Sequence, residues 1–129
     1  MKSLLVVTAL LEAVVGVALT VSPGPPVSLL LGAALDSAGG LVVARVAGGA
    51  LLALGLACWR ARDAGQHDGA RGIVAAMLVY NLVVAAVLVH ASLGFRLSGI
   101  GIWPAVVLHL ALAVWCIACL RPMSRSSEP

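Results

Sequence analysis

Hydrophobic residues along this chain are gathered into four long stretches, and the polar and glycine-rich positions fall between them. Each stretch is close to the ~20 residues that a helix, rising about 1.5 Å per residue, needs to cross the hydrocarbon core of a bilayer. The pattern predicts an all-α fold, an integral membrane four-helix transmembrane bundle. The predicted spans are 4–21, 41–59, 72–91 and 102–120, which form one membrane domain over 1–120 followed by a polar tail over 121–129.

A shorter apolar segment, 27–35, lies between the first two predicted spans. The first span ends at the sequence Ser-Pro-Gly-Pro-Pro over 22–26, because prolines lack the amide donor that a continuing helix needs. The segment after it is only about half as long as a span. We therefore expect a short interfacial or re-entrant helix, closed by Asp36 and the Gly39-Gly40 pair.

The composition is typical of a membrane protein, since 62% of the residues are hydrophobic and 10% are charged. Aromatic residues make up only 4%, so alanine, valine, leucine and glycine supply most of the apolar surface. Small residues allow membrane helices to approach closely. In the second span Gly49, Ala53 and Ala57 recur every four residues, with Gly48 and Gly55 nearby. This spacing predicts a face in close contact with another helix, with Arg45 at its head.

The apolar run that follows Lys2 is also typical of a secretory signal peptide. The run exceeds the about 7–15 apolar residues of a signal core, and it contains Glu12. We therefore expect the first span to remain in the protein.

Basic residues are distributed unevenly between the two ends of the predicted spans. One side carries Lys2, Arg60, Arg62, Arg71, Arg121 and Arg125. The other side carries Arg96, and Arg45 lies within a span. Because cytoplasmic segments of membrane proteins carry the excess of lysine and arginine, both termini are predicted to be cytoplasmic. This distribution also accounts for the net charge of +3, so no nucleic-acid partner is predicted.

Each predicted span contains one strongly polar residue: Glu12, Arg45, Asn81 and His109. An ionisable side chain in hydrocarbon costs several kcal/mol unless it is neutral, paired or facing a wet cavity. We therefore expect these side chains to face the bundle interior. The simplest arrangement is an ion pair between Glu12 and Arg45, with the other two completing the hydrogen bonds. Tyr80, beside Asn81, is interpreted as a packing aromatic residue.

Three roles for this polar cluster stay open. A buried ion pair can simply determine which helices meet. Ionisable groups in a membrane also mark ligand-binding or proton-carrying sites, for which the same four residues and Tyr80 are the candidates. Catalysis is the third role, and no catalytic residue is assigned. No metal site is predicted, because His67 and Asp68 have no third ligand nearby in the sequence.

Three cysteines lie near the predicted cytoplasmic ends of the spans: Cys58, and the C-x-x-C pair Cys116 and Cys119. The C-x-x-C sequence invites a redox interpretation, since four-helix membrane enzymes that pass electrons between thiols and quinone exist. These thiols, however, are predicted to face the reducing cytoplasm. Cysteines one helical turn apart among apolar residues commonly pack as small hydrophobic side chains. Packing is the favoured interpretation, with redox chemistry and then metal binding as the alternatives.

The chain resembles the small four-helix bacterial membrane proteins grouped around the DoxX-like families. The residues that carry the resemblance are Glu12 with Gly16, Pro26 ahead of Leu30-Leu31-Gly32, Arg45-Val46-Ala47-Gly48 leading to Leu54-Gly55, Tyr80-Asn81, and Trp103 with His109. They extend over nearly the whole span region. Some DoxX-like members are associated with membrane oxidoreductase complexes, so the resemblance implies an accessory subunit in a bacterial cytoplasmic membrane.

The chain is also similar to the small multidrug resistance exporters, in which one glutamate in the first of four spans exchanges protons for cations. The sequence Leu-Glu-Ala-Val-Val-Gly over 11–16 fits that pattern. The third span lacks the Gly-x-Trp-x-Gly pattern of these exporters. Arg45 would neutralise the carboxylate that a cation needs, and the uneven distribution of basic residues departs from the dual-topology members.

The function that we expect is that of a non-enzymatic accessory or small-ligand-binding component of a bacterial inner-membrane complex. The expected partners are the lipid bilayer and either larger subunits of that complex or further copies of the chain. Two alternatives are kept: a proton-coupled exporter of small molecules that uses Glu12, and a quinone-linked membrane oxidoreductase.

Overall fold

The computed structural model describes residues 1–64 and 68–121, and its regular structure over these residues is entirely α-helical. In chain order the helices are α1 (Lys2–Val21), α2 (Gly24–Leu31), α3 (Ala38–Ala61), α4 (Asp68–Gly94) and α5 (Ile102–Leu120). Four of them, all except α2, are long and apolar enough to cross a membrane, and each contains one predicted span. The all-α prediction with four long apolar helices is confirmed. His67 and the predicted tail beyond Arg121 lie outside the described residues.

The long helices associate mainly as two pairs, with α1 along α3 and α4 along α5. The first pair meets at glycines, since a Cβ on Gly16 would lie 2.9 Å from the carbonyl oxygen of Gly48. A Cβ on Gly48 would in turn lie 2.8 Å from the carbonyl oxygen of Gly16. Two turns further along α3, a Cβ on Gly55 would lie 3.1 Å from the carbonyl oxygen of Ala9. The backbones of α1 and α3 therefore approach closely, as small residues in membrane helices allow.

The expected contact row on α3 is wrong by one position along the helix. The sequence favoured Gly49, Ala53 and Ala57, but a Cβ added at Gly49 would have nothing within 4 Å. The row that faces α1 contains Gly48 and Gly55 instead. Arg45, one turn before Gly48, is exposed.

A shared apolar cluster joins the two helix pairs near one end of the bundle. Its buried members come from all four long helices: Leu4, Leu5, Ala9, Cys58, Val74, Met77, Leu112 and Cys116. A second cluster lies towards the other end of the α4–α5 pair and contains Leu88, Ala91, Ile102 and Val106. Asn81 and His109 lie along the chain between residues of the two clusters, and Glu12 follows the α1 residues of the first cluster.

The end of the bundle beside the first cluster, termed the basic end, carries the start of α1 and α4 and the end of α3 and α5. The Lys2 ammonium group forms an ion pair with Asp63, just after α3, at 2.8 Å. Arg71, in the first turn of α4, donates a hydrogen bond at 2.9 Å to the carbonyl oxygen of Leu120, the last residue of α5. Four helix ends and the basic residues flanking them are thereby brought to one end.

The short helix α2 lies at the opposite end, against the α4–α5 connection. The amide of Gly101 donates a hydrogen bond to the carbonyl oxygen of Leu29 at 3.0 Å. The helix ends at Gly32, whose φ of 69° is left-handed. It covers 24–31 and not the predicted 27–35, because two prolines fit its first turn. The Gly39-Gly40 pair does not close it but lies in the first turn of α3, after the N-cap Ser37.

Candidate functional site

Glu12 lies in the middle of α1 and is buried, with 5% of its surface exposed. Its buried neighbours on the same helix are Thr8 and Gly16, one turn away on either side. The face of α1 that meets the other helices therefore carries the carboxyl group into the bundle. The prediction that Glu12 faces the interior is confirmed.

Tyr80 on α4 supplies the hydrogen-bond donor for that carboxyl group. Its hydroxyl donates to Oε2 of Glu12 at 3.2 Å. The bond joins α1 to α4, two helices that belong to different pairs. Sequence reasoning favoured a packing role for Tyr80, so the specific contact with Glu12 was missed. The available signal was depth, because both residues fall near the middle of their helices.

His109 on α5 extends the polar cluster beyond Tyr80. The two rings meet edge to face, with centroids 5.7 Å apart and an angle of 78° between their planes. Nδ1 of His109 lies 2.7 Å from Oδ1 of Asn81, which is fully buried. We expected Asn81 and His109 to complete the hydrogen bonds of a Glu12–Arg45 ion pair, but they bond to each other instead, and this bond holds α5 against α4.

The orientation of Asn81 decides which nitrogen of His109 carries a proton. Nδ2 of Asn81 donates to the carbonyl oxygen of Met77 at 2.7 Å, and a carbonyl can only accept. Oδ1 of Asn81 therefore faces the imidazole, and Nδ1 of His109 must be the donor. In the neutral imidazole, Nε2 is then the free acceptor.

The expected ion pair between Glu12 and Arg45 is not formed. Arg45 is exposed, and the ion pairs among the described residues involve Lys2, Arg62 and Asp63. The cause is distance along the helix: a Cβ on Gly55 would lie 3.4 Å from Cβ of Glu12, and Arg45 lies ten residues before Gly55 on α3, about 15 Å away. The structure thus brings together Glu12, Tyr80, Asn81 and His109 and leaves Arg45 out.

Thr8 is a member of the site that sequence reasoning did not assign. Its side chain is 1% exposed, and Oγ1 has no hydrogen-bond partner within the described part of the chain. It lies one turn before Glu12 on the same face of α1, so the buried face of this helix carries two polar groups. The i, i+4 spacing of the two residues was the signal available in the sequence.

The cysteines lie among apolar side chains, in or beside the cluster against which Tyr80 also packs. Cys58 and Cys116 are fully buried in the cluster near the basic end, and Cys119 packs against its edge. All three are free thiols. Over residues 1–64 and 68–121, no group of three or more metal-ligating side chains is brought together.

A groove of about 510 Å³ lies between α3 and α4, next to the polar cluster. It is lined by Ala50, Leu51, Ala53, Leu54, Ala57 and Tyr80. Tyr80 links this groove to Glu12, since it lines the groove and its hydroxyl donates to the carboxyl group. Two smaller apolar cavities lie elsewhere, one beside Trp59 between α1 and α3 and one under α2.

No protein-family model, no curated protein and no solved structure matches this chain. The chemistry open to the site follows from its own groups: a buried carboxyl group that accepts from a phenol, and an imidazole that is fixed by an amide. Such groups can exchange protons and bind a cation or a hydrogen-bonding ligand. Among the described residues, no cation neutralises the carboxyl group through an ion pair.

Proposed function

We propose that the chain is an integral protein of a bacterial inner membrane, with four spans and both termini in the cytoplasm. The four apolar helices support the spanning arrangement. Large hydrophobic side chains cover their outer faces, including Val14, Val43 and Val79, as expected for a surface in contact with lipid. The basic end supports the orientation, because lysine and arginine accumulate on the cytoplasmic side. The proposal that this membrane is a bacterial inner membrane is based on the DoxX-like resemblance.

We further propose that the protein binds a small cation at Glu12 in exchange for a proton. The observation that carries this proposal is the Tyr80–Glu12 hydrogen bond, in which a neutral donor holds a buried carboxyl group. Within residues 1–64 and 68–121 no cation forms an ion pair with this group. A carboxyl group in an apolar bundle is tolerated when it holds a proton or a bound cation. The two states are therefore alternatives, and binding of one expels the other.

The position of Arg45 bears directly on this proposal. An arginine paired with Glu12 would occupy the place of a cationic ligand, and that pairing was one of three departures from the small multidrug resistance exporters, beside the missing Gly-x-Trp-x-Gly pattern and the uneven distribution of basic residues. Arg45 lies on the outer side of α3 and forms no ion pair with Glu12. The proton-coupled exporter is therefore the first form of the proposed function, although the third span still lacks the Gly-x-Trp-x-Gly pattern.

The experiment is calorimetric titration of the purified protein in lipid nanodiscs with tetramethylammonium and with tetraphenylphosphonium. At least one of these cations should bind to the wild-type protein beyond its binding to empty nanodiscs. Glu12→Gln should remove that binding, because the amide cannot become an anion. Asp36→Asn, at an exposed carboxyl group in the α2–α3 connection, is the matched control and should bind as the wild type does. Equal binding by wild type and Glu12→Gln would refute the proposal.

A second candidate is an accessory subunit of a larger membrane complex, as the DoxX-like resemblance implies. The observation that favours it is Arg45, an exposed cation between Val42 and Val46, which are themselves 59% and 68% exposed on the outer face of α3. A carboxylate on another membrane helix would satisfy this charge. Purification from the native membrane in mild detergent should then recover a larger subunit, and Arg45→Ala should lose it.

The quinone-linked oxidoreductase is the third alternative. A quinone site would give the protein a bound cofactor with a redox-sensitive absorption spectrum after purification. The thiols that suggested this chemistry are free, and Cys58 and Cys116 are fully buried in the apolar cluster, where a thiol packs as a small hydrophobic group. We therefore place this function behind the other two.

A further inference from the structure

We propose that the groove between α1 and α3 beside Trp59, termed the α1–α3 groove, is a binding site for an anionic phospholipid of the cytoplasmic leaflet. One acyl chain lies in the groove, and the headgroup phosphate contacts the basic side chains where the groove reaches the basic end. The inference rests on the proposed membrane-spanning arrangement and its orientation. It is independent of the proposed cation exchange at Glu12.

The α1–α3 groove follows from the close approach of these two helices. A Cβ on Gly55 would lie 3.1 Å from the carbonyl oxygen of Ala9 and 3.3 Å from the backbone nitrogen of Ala13, and all three residues line the groove. The other lining residues are larger: Leu10 on α1, and Leu52, Leu56 and Trp59 on α3. Small residues at a helix contact, flanked by larger ones, leave a furrow. Its volume of about 340 Å³ lies within the range of sites that hold small organic molecules.

The groove is open towards the lipid and fits within one leaflet. Leu10, Leu56 and Trp59 are 56%, 61% and 42% exposed. Leu52 lies seven residues before Trp59 on α3, so the groove extends about 10 Å from the basic end towards the middle of the bundle. The hydrocarbon of one leaflet is about 15 Å deep, half of a bilayer core. An acyl chain of that leaflet can therefore lie along the groove and remain in contact with neighbouring lipid.

Basic side chains surround the end of the groove at Trp59. The guanidinium carbon of Arg62 lies 3.9 Å from the centroid of the Trp59 ring, and Nη1 donates to the carbonyl oxygen of Trp59. Asp63 joins this arginine to Lys2 of α1, with N–O distances of 3.3 Å and 2.8 Å. Arg60, in the last turn of α3, is exposed and forms no ion pair within the part of the chain that the structure describes. Asp63 offsets one of these positive charges, so this end of the groove keeps an excess of positive charge.

The apolar groove and the basic side chains together identify the ligand. A soluble anion would leave the groove unfilled, and a zwitterionic lipid would bring a positive group next to the arginines. An anionic phospholipid satisfies both parts, since its phosphate accepts hydrogen bonds from Arg60, Arg62 and Lys2 while its acyl chain covers Leu10 and Leu56. Basic pockets between membrane helices on the cytoplasmic side bind anionic headgroups in this way.

The test measures quenching of Trp59 fluorescence by phospholipids that are brominated on their acyl chains. Trp103→Phe and Trp115→Phe leave Trp59 as the single tryptophan, and the protein is reconstituted at one copy per nanodisc. Mixtures of phosphatidylglycerol and phosphatidylcholine, with bromine on one lipid or the other, give the affinity of the anionic lipid relative to the zwitterionic one. We expect the anionic lipid to bind at least about fivefold more tightly, the factor that one basic residue near a membrane surface contributes.

Variants at the basic end test the headgroup contacts. Arg60→Gln and Arg62→Gln should each lower the relative affinity, and the double variant should bind the two lipids equally. Arg121→Gln is the matched control, because it removes a positive charge from the same end of the bundle at the end of α5, away from the groove. It should leave the relative affinity unchanged. An equal loss in Arg121→Gln and Arg62→Gln would mean that the total charge of this end attracts the lipid, and would contradict a local site.

Variants in the groove test the acyl-chain contact. Ala13→Leu fills the groove and should lower the relative affinity, whereas Ala111→Leu, at an exposed position on α5, should not. Leu56→Ala removes an exposed lining side chain and should act in the same direction, which keeps the test decisive if Ala13→Leu does not fold. Circular dichroism establishes that the helices are retained. An unchanged relative affinity in the folded variants would refute the groove.

The remaining outcomes separate this inference from the arrangement on which it rests. Equal quenching of Trp59 by both lipids in the otherwise unaltered protein refutes the lipid site and leaves the spanning arrangement intact. No quenching by either lipid refutes the spanning arrangement itself. Loss of the preference on addition of inorganic phosphate would assign the basic side chains to a free anion. Loss of the preference in nanodiscs that hold two copies would assign the groove to a second chain. Either of these last results contradicts a phospholipid as the occupant.

Discussion

The hydroxyl of Tyr80 donates a hydrogen bond to Oε2 of Glu12, at 3.2 Å, and so joins α4 to α1 across the two helix pairs. Few other side-chain hydrogen bonds in the described residues connect helices at this depth; His109 and Asn81 form one between α5 and α4. The two bonds form a polar layer in which every long helix except α3 takes part. The predictions below follow from this layer and from the helix contacts that position it.

The contact between Glu12 and Tyr80 predicts energetic coupling in a double-mutant cycle. Glu12→Met and Tyr80→Phe each remove one side of the hydrogen bond, so the double variant should lose less than the sum of the single losses. We expect a coupling of about 0.6–1.7 kcal/mol, as measured for hydrogen bonds between membrane helices. The free energy of unfolding in detergent is the quantity to measure. Strict additivity would mean that the two side chains do not interact.

The exposed position of Arg45 predicts no energetic coupling between Arg45 and Glu12 in a double-mutant cycle. Because Arg45 is exposed and forms no ion pair with Glu12, the effects of Arg45→Met and Glu12→Met should add to within about 0.5 kcal/mol. This comparison uses one Glu12 variant in both cycles, so it controls for the loss of the carboxyl group itself. Partial recovery of stability in the double variant would instead show that Glu12 and Arg45 form a buried ion pair.

Two neighbouring glycines on α3 predict opposite changes in stability. A Cβ on Gly48 would lie 2.6 Å from Oγ1 of Thr20 and 2.8 Å from the backbone oxygen of Gly16, so Gly48→Ala must push α1 and α3 apart. We expect a loss of about 1–3 kcal/mol. Gly49→Ala has open space and should gain up to about 1 kcal/mol from helix propensity. Thermal unfolding in detergent measures both, and equal effects would place the α1–α3 contact elsewhere.

The orientation of the bundle predicts which introduced thiols can be labelled from outside the cell. In a variant whose native cysteines are replaced by alanine, Ser98→Cys in the α4–α5 connection should react with an impermeant maleimide on intact cells. Ala64→Cys, near the basic end, should react only after the membrane is opened. The reverse pattern would invert the topology, since the basic end would then face outward.

The ion pair between Lys2 and Asp63 at the basic end predicts that the pKa of Asp63 depends on Lys2. The hydrogen bond from Lys2 is the main cause that holds the pKa of Asp63 below its ordinary value, and Arg62 adds to it. Because the folded pKa is depressed, the contribution to stability is present above the ordinary pKa of about 3.9 and is lost as pH falls through the folded pKa. Lys2→Gln should raise the pKa of Asp63 in an NMR titration. Arg60→Gln is the control. An equal shift of the Asp63 pKa in both variants would mean that the total positive charge of this end, and not the contact with Lys2, lowers that pKa.

The sequence predicted the four long helices well, because the length and hydrophobicity of each stretch decide whether it forms a long apolar helix. It could not predict the rotation of α3. Gly48 and Gly49 are neighbours, and which of them faces α1 depends on how closely Gly16 of α1 can approach. Arg45 is outside the site because it lies ten residues, about 15 Å, along α3 from Gly55, the residue beside Glu12.

The residues of the polar layer could be predicted from the sequence, but their hydrogen-bond partners could not. Glu12, Asn81 and His109 lie at comparable depths, so their convergence could be inferred from residue counts alone. The specific partners could not, because the donor to Glu12 depends on which face of α4 carries Tyr80 inward. The limits of α2 were also missed, since its end depends on the left-handed conformation of Gly32 beside the α4–α5 connection.

The central claim, that Glu12 exchanges a proton for a cation, is tested most directly by counting the protons released as the cation binds. The protein in nanodiscs is held in weakly buffered solution with a pH indicator, and tetraphenylphosphonium is added to saturation. We predict that the wild type releases a proton for each cation bound and that Asp36→Asn does the same. Glu12→Gln should release none. Saturable cation binding by the wild type without any release of protons would contradict the account.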